Sequence, residues 1–356
     1  MKRIRLWAVV LTAVVLTSAL SISGCTTPPD EFRSYEFGST SATATHYAAA
    51  VTMANIINRE NAGIKITVVE SGATHDNLIK AQAGAFAGGF ATTWDGMAMA
   101  YSGTTMDDYI AYGEWPELRL LAGYARNYVY VVVVDDGEGW EVETLYDLHG
   151  KRFSAGIAGS VTEFNIRRQF EALGIEPDWV SGSFTDVIEM ARNLEIAGFV
   201  RASTAVALDA SMLDLHSEVG IKILGWPEED LEQALAATPG TSATWIEEDA
   251  IEHLPMPGFY TLGHTSGVFV TTAIRQDVVY RMAKTLVEKW AEFSRAWPTA
   301  GGWTPLETDL ALLNDMAGRV RMPPLHAGVV QLMREKGYEV PPELIGPEYN
   351  ENAATS

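Results

Sequence analysis

Two hydroxyl-rich turns hold the residues best suited to chemistry. The first, Gly38-Ser39-Thr40-Ser41-Ala42-Thr43-Ala44-Thr45-His46-Tyr47, leads from a short strand-like segment (35–38) into a helical pattern and offers five Ser and Thr hydroxyls. Backbone N–H groups at a helix start, with hydroxyls beside them, hold an anion such as a carboxylate without a full positive charge. A polar turn with one Ser or Thr as N-cap uses the same residues. The second turn, Gly156-Ile157-Ala158-Gly159-Ser160-Val161-Thr162-Glu163, again runs from strand to helix. Gly156 and Gly159 permit close backbone approach, while Ser160 and Thr162 can cap the helix or donate to a ligand. No Lys-Ser/Thr follows the last glycine, so this is not a phosphate loop.

Arg126 and Arg201 are the candidate full charges, since arginine pairs bidentately with a carboxylate. Arg126 fits an ordinary surface arginine. Arg201, in the apolar stretch Gly198-Phe199-Val200-Arg201-Ala202-Ser203-Thr204, fits either a surface or a ligand-facing role. Tyr47, Trp94 and Tyr124 are aromatics that can wall a cleft or fill a core. Catalysis finds little support, and no cofactor is expected. His46, His75, His149, His216, His253, His264 and His326 are scattered without an HExxH pair, and no GxSxG elbow occurs. The acidic clusters Glu228-Glu229-Asp230 and Glu247-Glu248-Asp249 read as solvated helix starts.

The elements that must position these groups alternate between helix and strand. Apolar residues at 50, 53, 54 and 57 repeat at helical spacing over 47–58, and 64–69 (IKITVV) is a short β-branched strand. Residues 128–134 (YVYVVVV) form the strongest strand, one buried on both faces. A strand at 151–155 precedes a helix over 162–173, and 277–297 and 307–336 read as C-terminal helices. This alternation predicts an α/β fold with mainly parallel strands. Two half-size lobes fit it better than one sheet: the 128–134 strand leads out of the first lobe, and 267–273 (GVFVTTA) returns to it. Two crossings make a hinge with a ligand cleft between the lobes.

The chain has 356 residues, 47% hydrophobic and 20% charged, with a formal net charge of −21. Such an acidic protein repels phosphate backbones, which excludes nucleic acid as a partner. A single cysteine excludes an intrachain disulfide and a thiolate metal cluster. Residues 1–5 (MKRIR) are basic and 6–20 are apolar without charge, too short a run for the roughly 20 residues of a bilayer span but in the order of an export signal. Ile22-Ser23-Gly24-Cys25 follows and resembles the lipobox of bacterial lipoproteins. That resemblance implies cleavage before Cys25, lipid on its sulfur and a body held outside the cytoplasm by the anchor. Residues 26–34 (TTPPDEFRS) read as a tether.

Over 35–340 the chain resembles a TAXI-type solute receptor of a TRAP transporter, in the type II periplasmic-binding-protein superfamily. The resemblance rests on five blocks in order. The first is Thr45-His46-Tyr47-Ala48 with Asn55-Ile56-Ile57-Asn58, and the second Gly72-Ala73-Thr74-His75-Asp76-Asn77-Leu78. Asp147-Leu148-His149-Gly150-Lys151-Arg152 and Gly159-Ser160-Val161-Thr162-Glu163 are the most specific, and Pro324-Leu325-His326-Ala327-Gly328 closes the set. Where the family's first turn is mostly glycine, this chain has Thr40, Ser41, Thr43 and Ala44. The resemblance implies a two-lobed Venus-flytrap fold with hinge-crossing strands. The expected division is a signal peptide at 1–24, a lipidated tether at 25–34, lobe I at 35–130 plus 272–345, lobe II at 131–271 and a disordered tail at 346–356. It also implies no enzymatic activity and a small anionic solute, glutamate, glutamine, 2-oxoglutarate or a related dicarboxylate, passed to TRAP permease subunits. The same clamshell could instead report ligand to a signalling partner. The residues expected to bind are Ser39, Thr40, Thr43, Thr45, Tyr47, Thr93 and Trp94, with Gly159, Ser160, Thr162, Arg201 and Ser203; Cys25 carries the lipid.

Overall fold

The computed structural model describes residues 33–350 except 41, 43, 104, 107–109, 112, 135–141 and 158–159. Cys25, Thr43 and Gly159 lie outside the described residues. In chain order the elements are β1 (Arg33–Gly38), α1 (Thr45–Glu60), β2 (Ile64–Val69), α2 (Thr74–Gln82), β3 (Gly88–Thr93) and α3 (Trp94–Ser102). Next come two short strands that pair with each other, β4 (Thr105–Met106) and β5 (Ile110–Ala111), and the long strand β6 (Leu118–Val134). Then follow β7 (Arg152–Ser154), α4 (Val161–Ala172), β8 (Asp178–Trp179), α5 (Phe184–Arg192), β9 (Gly198–Ser203), α6 (Ala210–Val219), β10 (Ile221–Leu224) and α7 (Leu231–Ala237). The chain ends with β11 (Ser242–Ile246), β12 (Phe259–Thr271), α8 (Gln276–Glu288), α9 (Trp290–Ala296), α10 (Glu307–Met316) and α11 (Ala327–Glu335).

Ten strands make one curled sheet in the order β2-β1-β3-β12-β6-β9-β7-β8, with β10 added to β6 and β11 to β12. The sheet is mixed, not mainly parallel: β1 lies parallel to β2 and β3, and β7 to β8 and β9, but every pairing of β6 and β12 is antiparallel. These two strands run through both lobes. Their register shifts between Ser266 and Gly267 and again between Val268 and Phe269, irregularities that bend the sheet within its lobe I part, next to the crossing.

Burial explains why β6 tolerates an unbroken apolar run. Val131 and Val133 pack with Phe153, Phe170 and Val200 on one face of the lobe II sheet. Tyr130 and Val132 pack with Phe199 and Met212 on the other. Alternate side chains thus enter two separate cores, one under each helix layer. The first half of β6 and the end of β12 belong to the lobe I core, where Leu121 and Phe269 meet Phe37, Met53, Leu78 and Trp94. In the C-terminal region α10 and α11 are separate helices, broken by 317–326, where Pro323 and Pro324 cannot continue a helix. Residues 346–350 depart from the disordered tail expected of 346–356: Arg119 holds Glu348 through two bonds of 2.7 Å, and Tyr349 packs on the lobe I core. Residues 351–356 lie outside the described residues.

Gly263 marks a close approach between the two crossing strands. A Cβ there would lie 1.9 Å from the Asn127 carbonyl oxygen, a backbone atom that cannot swing away. Gly263→Ala should cost about 1–3 kcal/mol of stability by overpacking. Gly302→Ala, with nothing within 4 Å of the new carbon, should stay within about 0.5 kcal/mol of the parent. Urea unfolding of both variants checks the pair, and equal losses would contradict the packing account.

Asp309 gives the lobe I core a pH signature. Its carboxylate accepts from Gly123 N and Trp303 Nε1, each at 3.1 Å. Burial nonetheless pushes its pKa up to about 7. In the unfolded chain an aspartate titrates near ~3.9. Between those values the folded state binds more protons, so its contribution is fully present below about 4 and is lost as the pH rises through 7. The neutral isostere Asp309→Asn should gain in Tm relative to the parent between pH 5 and pH 8; an offset that stays constant over that range would refute the assignment.

Candidate functional site

A cavity of about 490 Å³ lies between the lobes and receives the starts of four helices. Lobe I supplies Ala44, Thr45 and His46 at the start of α1. Lobe II supplies Ser160 and Thr162 from α4, Phe184 from α5 and Asp209 at the start of α6, together with Arg201 and Ser203 at the end of β9. This follows from the strand directions: β7 and β9 are parallel, so the helices that follow them begin at the same sheet edge.

The four helix starts differ in what satisfies their N–H groups. Ser160 accepts from Glu163 N at 3.1 Å, Ser183 and Asp186 form a capping box on α5, and Asp209 Oδ1 accepts from Met212 N at 3.0 Å. The first turn of α1 has no side-chain cap and no acidic residue. Its positive end therefore stays available to a ligand.

Arg201 stands in the cavity with its charge already partnered. Nε and Nη2 reach Asp209 Oδ2 at 2.7 and 2.6 Å, and the guanidinium lies 3.8 Å from the centre of the Phe184 ring. Ion pair and ring fix the plane of the fork. Ser203 turns its hydroxyl back on the chain, donating to the Ala205 carbonyl and accepting from Ala205 N.

On the lobe I side, His46 is held in one tautomer. Asn127 Nδ2 donates to the His264 carbonyl and to Ser266 Oγ, which turns Asn127 Oδ1 toward His46 Nε2 at 3.4 Å. Nε2 therefore carries the hydrogen, and Nδ1 accepts from Tyr124 Oη at 2.9 Å. Burial pulls the His46 pKa down to about 4, although the Asn127 hydrogen bond works the other way. The ring is neutral at pH 7.

Five of the residues expected to bind, Thr45, Ser160, Thr162, Arg201 and Ser203, line this cavity. Ser39, Thr40, Tyr47, Thr93 and Trp94 are outside its lining. Ser39 and Trp94 are buried in lobe I, and Thr93 takes Thr74 Oγ1 on its backbone N–H. Tyr124 is a core residue outside the cavity lining, and its hydroxyl donates to His46. Arg126 donates to Thr244 Oγ1 on β11, and neither residue is in the cavity lining. Asn127, Phe184 and Asp209 line the cavity but were missed by sequence reasoning. Asn127 had left a signal, a polar residue inside a strand otherwise destined for burial.

The lobes also touch beside the cavity. Asp95, in the first turn of α3, accepts from Asn165 Nδ2 on α4 at 2.7 Å, and both residues are buried. Gly240 packs on Asp95 so tightly that a Cβ would lie 2.5 Å from the Asp95 Cβ. Phe164 rests on the lobe I core, and Arg319 Nη1 donates to the Thr241 carbonyl at 3.3 Å.

Residues 37–337 match the NMT1-like family. The chain belongs to that family. Among solved structures, this NMT1-like protein is similar to XAC2383 from Xanthomonas citri, solved bound to ATP. Identity is 12%, with 85% of this chain and 98% of that chain covered and a TM-score of 0.53. A putative periplasmic sulfonate-binding protein SsuA from Methylobacillus flagellatus is 14% identical over 87% of this chain and 96% of that one, with a TM-score of 0.49. The NMT1-like chain has the two-lobed type II periplasmic-binding-protein fold with a curled mixed sheet. Among the described residues no three His, Cys, Asp or Glu side chains gather to hold a metal, and no helix is long and apolar enough to cross a membrane.

The bridge between the lobes generates its own test. Asn165→Ala leaves the buried Asp95 without its lobe II partner, a loss of about 1.5–3 kcal/mol for a hydrogen bond to a charged group. The expected outcome is lower stability in denaturant and a larger radius of gyration in solution scattering. A variant as compact as the parent would show that this bridge does not hold the lobes together.

Proposed function

We propose that the protein is the extracytoplasmic solute receptor of a TRAP transporter of the TAXI type. It captures a small carboxylate of the glutamate, glutamine and 2-oxoglutarate class and presents it to a membrane permease, while a lipid on Cys25 holds it at the membrane. The observation that carries this reading is one cavity, within the ~300–1,000 Å³ of small-molecule sites, lined by both lobes and containing Arg201. The uncapped first turn of α1 faces the same space and favours negative charge. Binding across two lobes shifts their population toward a closed form, the shape a permease would recognise. XAC2383 was solved with ATP, but the sequence here lacks a phosphate loop, and its cavity sets one arginine against one aspartate. The resemblance in the five sequence blocks supports the transporter type.

Isothermal titration of the mature protein against amino acids, 2-oxo acids and dicarboxylates tests the reading, with ATP as a further arm. Heat from a small carboxylate, and none from ATP, is expected; no heat from any acidic solute sinks the proposal. Arg201→Gln should weaken the carboxylate by roughly 2–5 kcal/mol, because it removes the positive charge and leaves Asp209 facing the anion. Unchanged affinity in a variant with parental circular dichroism would take Arg201 out of the site.

A further inference from the structure

We infer that the cavity selects a solute with one carboxylate and a compact apolar body over a dicarboxylate, with the carboxylate between Arg201 and the first turn of α1 and the apolar body against Ile157. This inference rests on the reading above that the cavity takes a carboxylate, and it sets aside the dicarboxylates glutamate and 2-oxoglutarate named there in favour of a monocarboxylate.

The charge balance of the lining supports the selection. Arg201 and Asp209 are the two lining residues with full charges, and they cancel. Asp209 occupies Nε and Nη2 of Arg201, while Nη1 makes no hydrogen bond among the described residues. One guanidinium edge and one uncapped helix turn of about half a unit charge can hold a single carboxylate. The remaining helix starts are already occupied by the side chains of Ser160, Ser183 and Asp209. His46 offers no charge, being neutral at pH 7. A second carboxylate meets no second cation in the described lining: the groups left for it are the neutral hydroxyls of Thr45, Thr162 and Thr204, weaker partners for a charge than a guanidinium, and Asp209 repels it. The net charge of −21 adds to this, since it repels a dianion more than a monoanion on approach.

Ile157 gives the second, independent observation. It is a large aliphatic side chain left 48% exposed, and of the exposed large apolar residues Ile79, Tyr146, Ile157, Leu194 and Trp245 it is the one in the cavity lining. An apolar group there gains by being covered, and a solute with an apolar body covers it.

Two matched pairs of solutes test the inference by isothermal titration. 4-Methyl-2-oxopentanoate and 2-oxoglutarate share the 2-oxo acid head and differ at the far end, branched alkyl against carboxylate; leucine and glutamate repeat the contrast with an amino head. The apolar member should bind at least tenfold tighter in whichever pair binds. Equal affinity, or tighter binding of the dicarboxylate, overturns the inference while leaving the carboxylate receptor standing. No heat from any of the four, or from any other acidic solute, overturns both. Ile157→Lys changes an exposed position and leaves the fold undisturbed. It should move the ratio at least tenfold toward the dicarboxylate, and an unchanged ratio would show that Ile157 does not meet the solute body.

Discussion

Asn127 and Gly263 meet where two antiparallel strands pass from one lobe to the other, so close that the Asn127 carbonyl leaves no room for a side chain on Gly263. Everything else in the molecule depends on this crossing. The same strands enter the lobe I core at one end and separate the two lobe II cores at the other, so neither lobe has a sheet of its own. A strand whose two faces are both buried cannot slip by one residue without exposing Val131 and Val133 or Tyr130 and Val132. The register of the crossing is fixed by apolar packing on either side of it.

Polar groups at the crossing tie that constraint to the cavity. Asn127 is buried at the centre of β6 and spends its amide hydrogens on β12, at the His264 carbonyl and Ser266 Oγ. Its oxygen is then the group left to orient His46 in the second position of α1. A side chain at the hinge thereby sets the ring that lines the cavity. Any rotation of β6 against β12 must disturb this chain of hydrogen bonds, so a hinge motion and the lobe I wall of the site are mechanically linked. The Asp95–Asn165 bridge acts at a second point, between α3 and α4, and limits how far the lobes can part without taking a hydrogen bond from a buried carboxylate, whose other oxygen keeps the Gly96 N–H.

What the sequence revealed depended on whether the deciding partner was local. The run 128–134 announced a strand buried on both faces because seven successive residues without a charge can sit in no half-exposed strand. Ser160 announced the start of α4 because an N-cap is satisfied by its own helix three residues on. Ser39 and Thr40 belonged to the same hydroxyl-rich turn as Thr45, yet they are buried in lobe I, outside the cavity lining, a direction that spacing alone does not give. Asp209 was silent for the same reason: its value to the site comes from Arg201, eight residues away across a turn, and from the Phe184 ring on another helix. The mixed sheet was equally hidden. Helix-strand alternation implies parallel neighbours, but it does not show that two long strands run antiparallel through the middle of them.

The Arg201–Asp209 pair then explains how an acidic protein can keep a guanidinium in a half-enclosed cavity. An unpaired guanidinium in a half-enclosed cavity would carry a desolvation cost before any solute arrived. Pairing with Asp209 offsets that cost, and stacking on Phe184 holds the fork still, at the expense of cancelling the charge that would draw the solute in. The attraction left over is the partial charge of the helix starts, which weakens sharply beyond the first turn and rewards a group seated against it far more than a distant one. On the proposal made above, a site built this way discriminates by where a carboxylate can sit: it would hold one that reaches the α1 turn and Nη1 together, and it would give no comparable return for a second one placed elsewhere in the cavity.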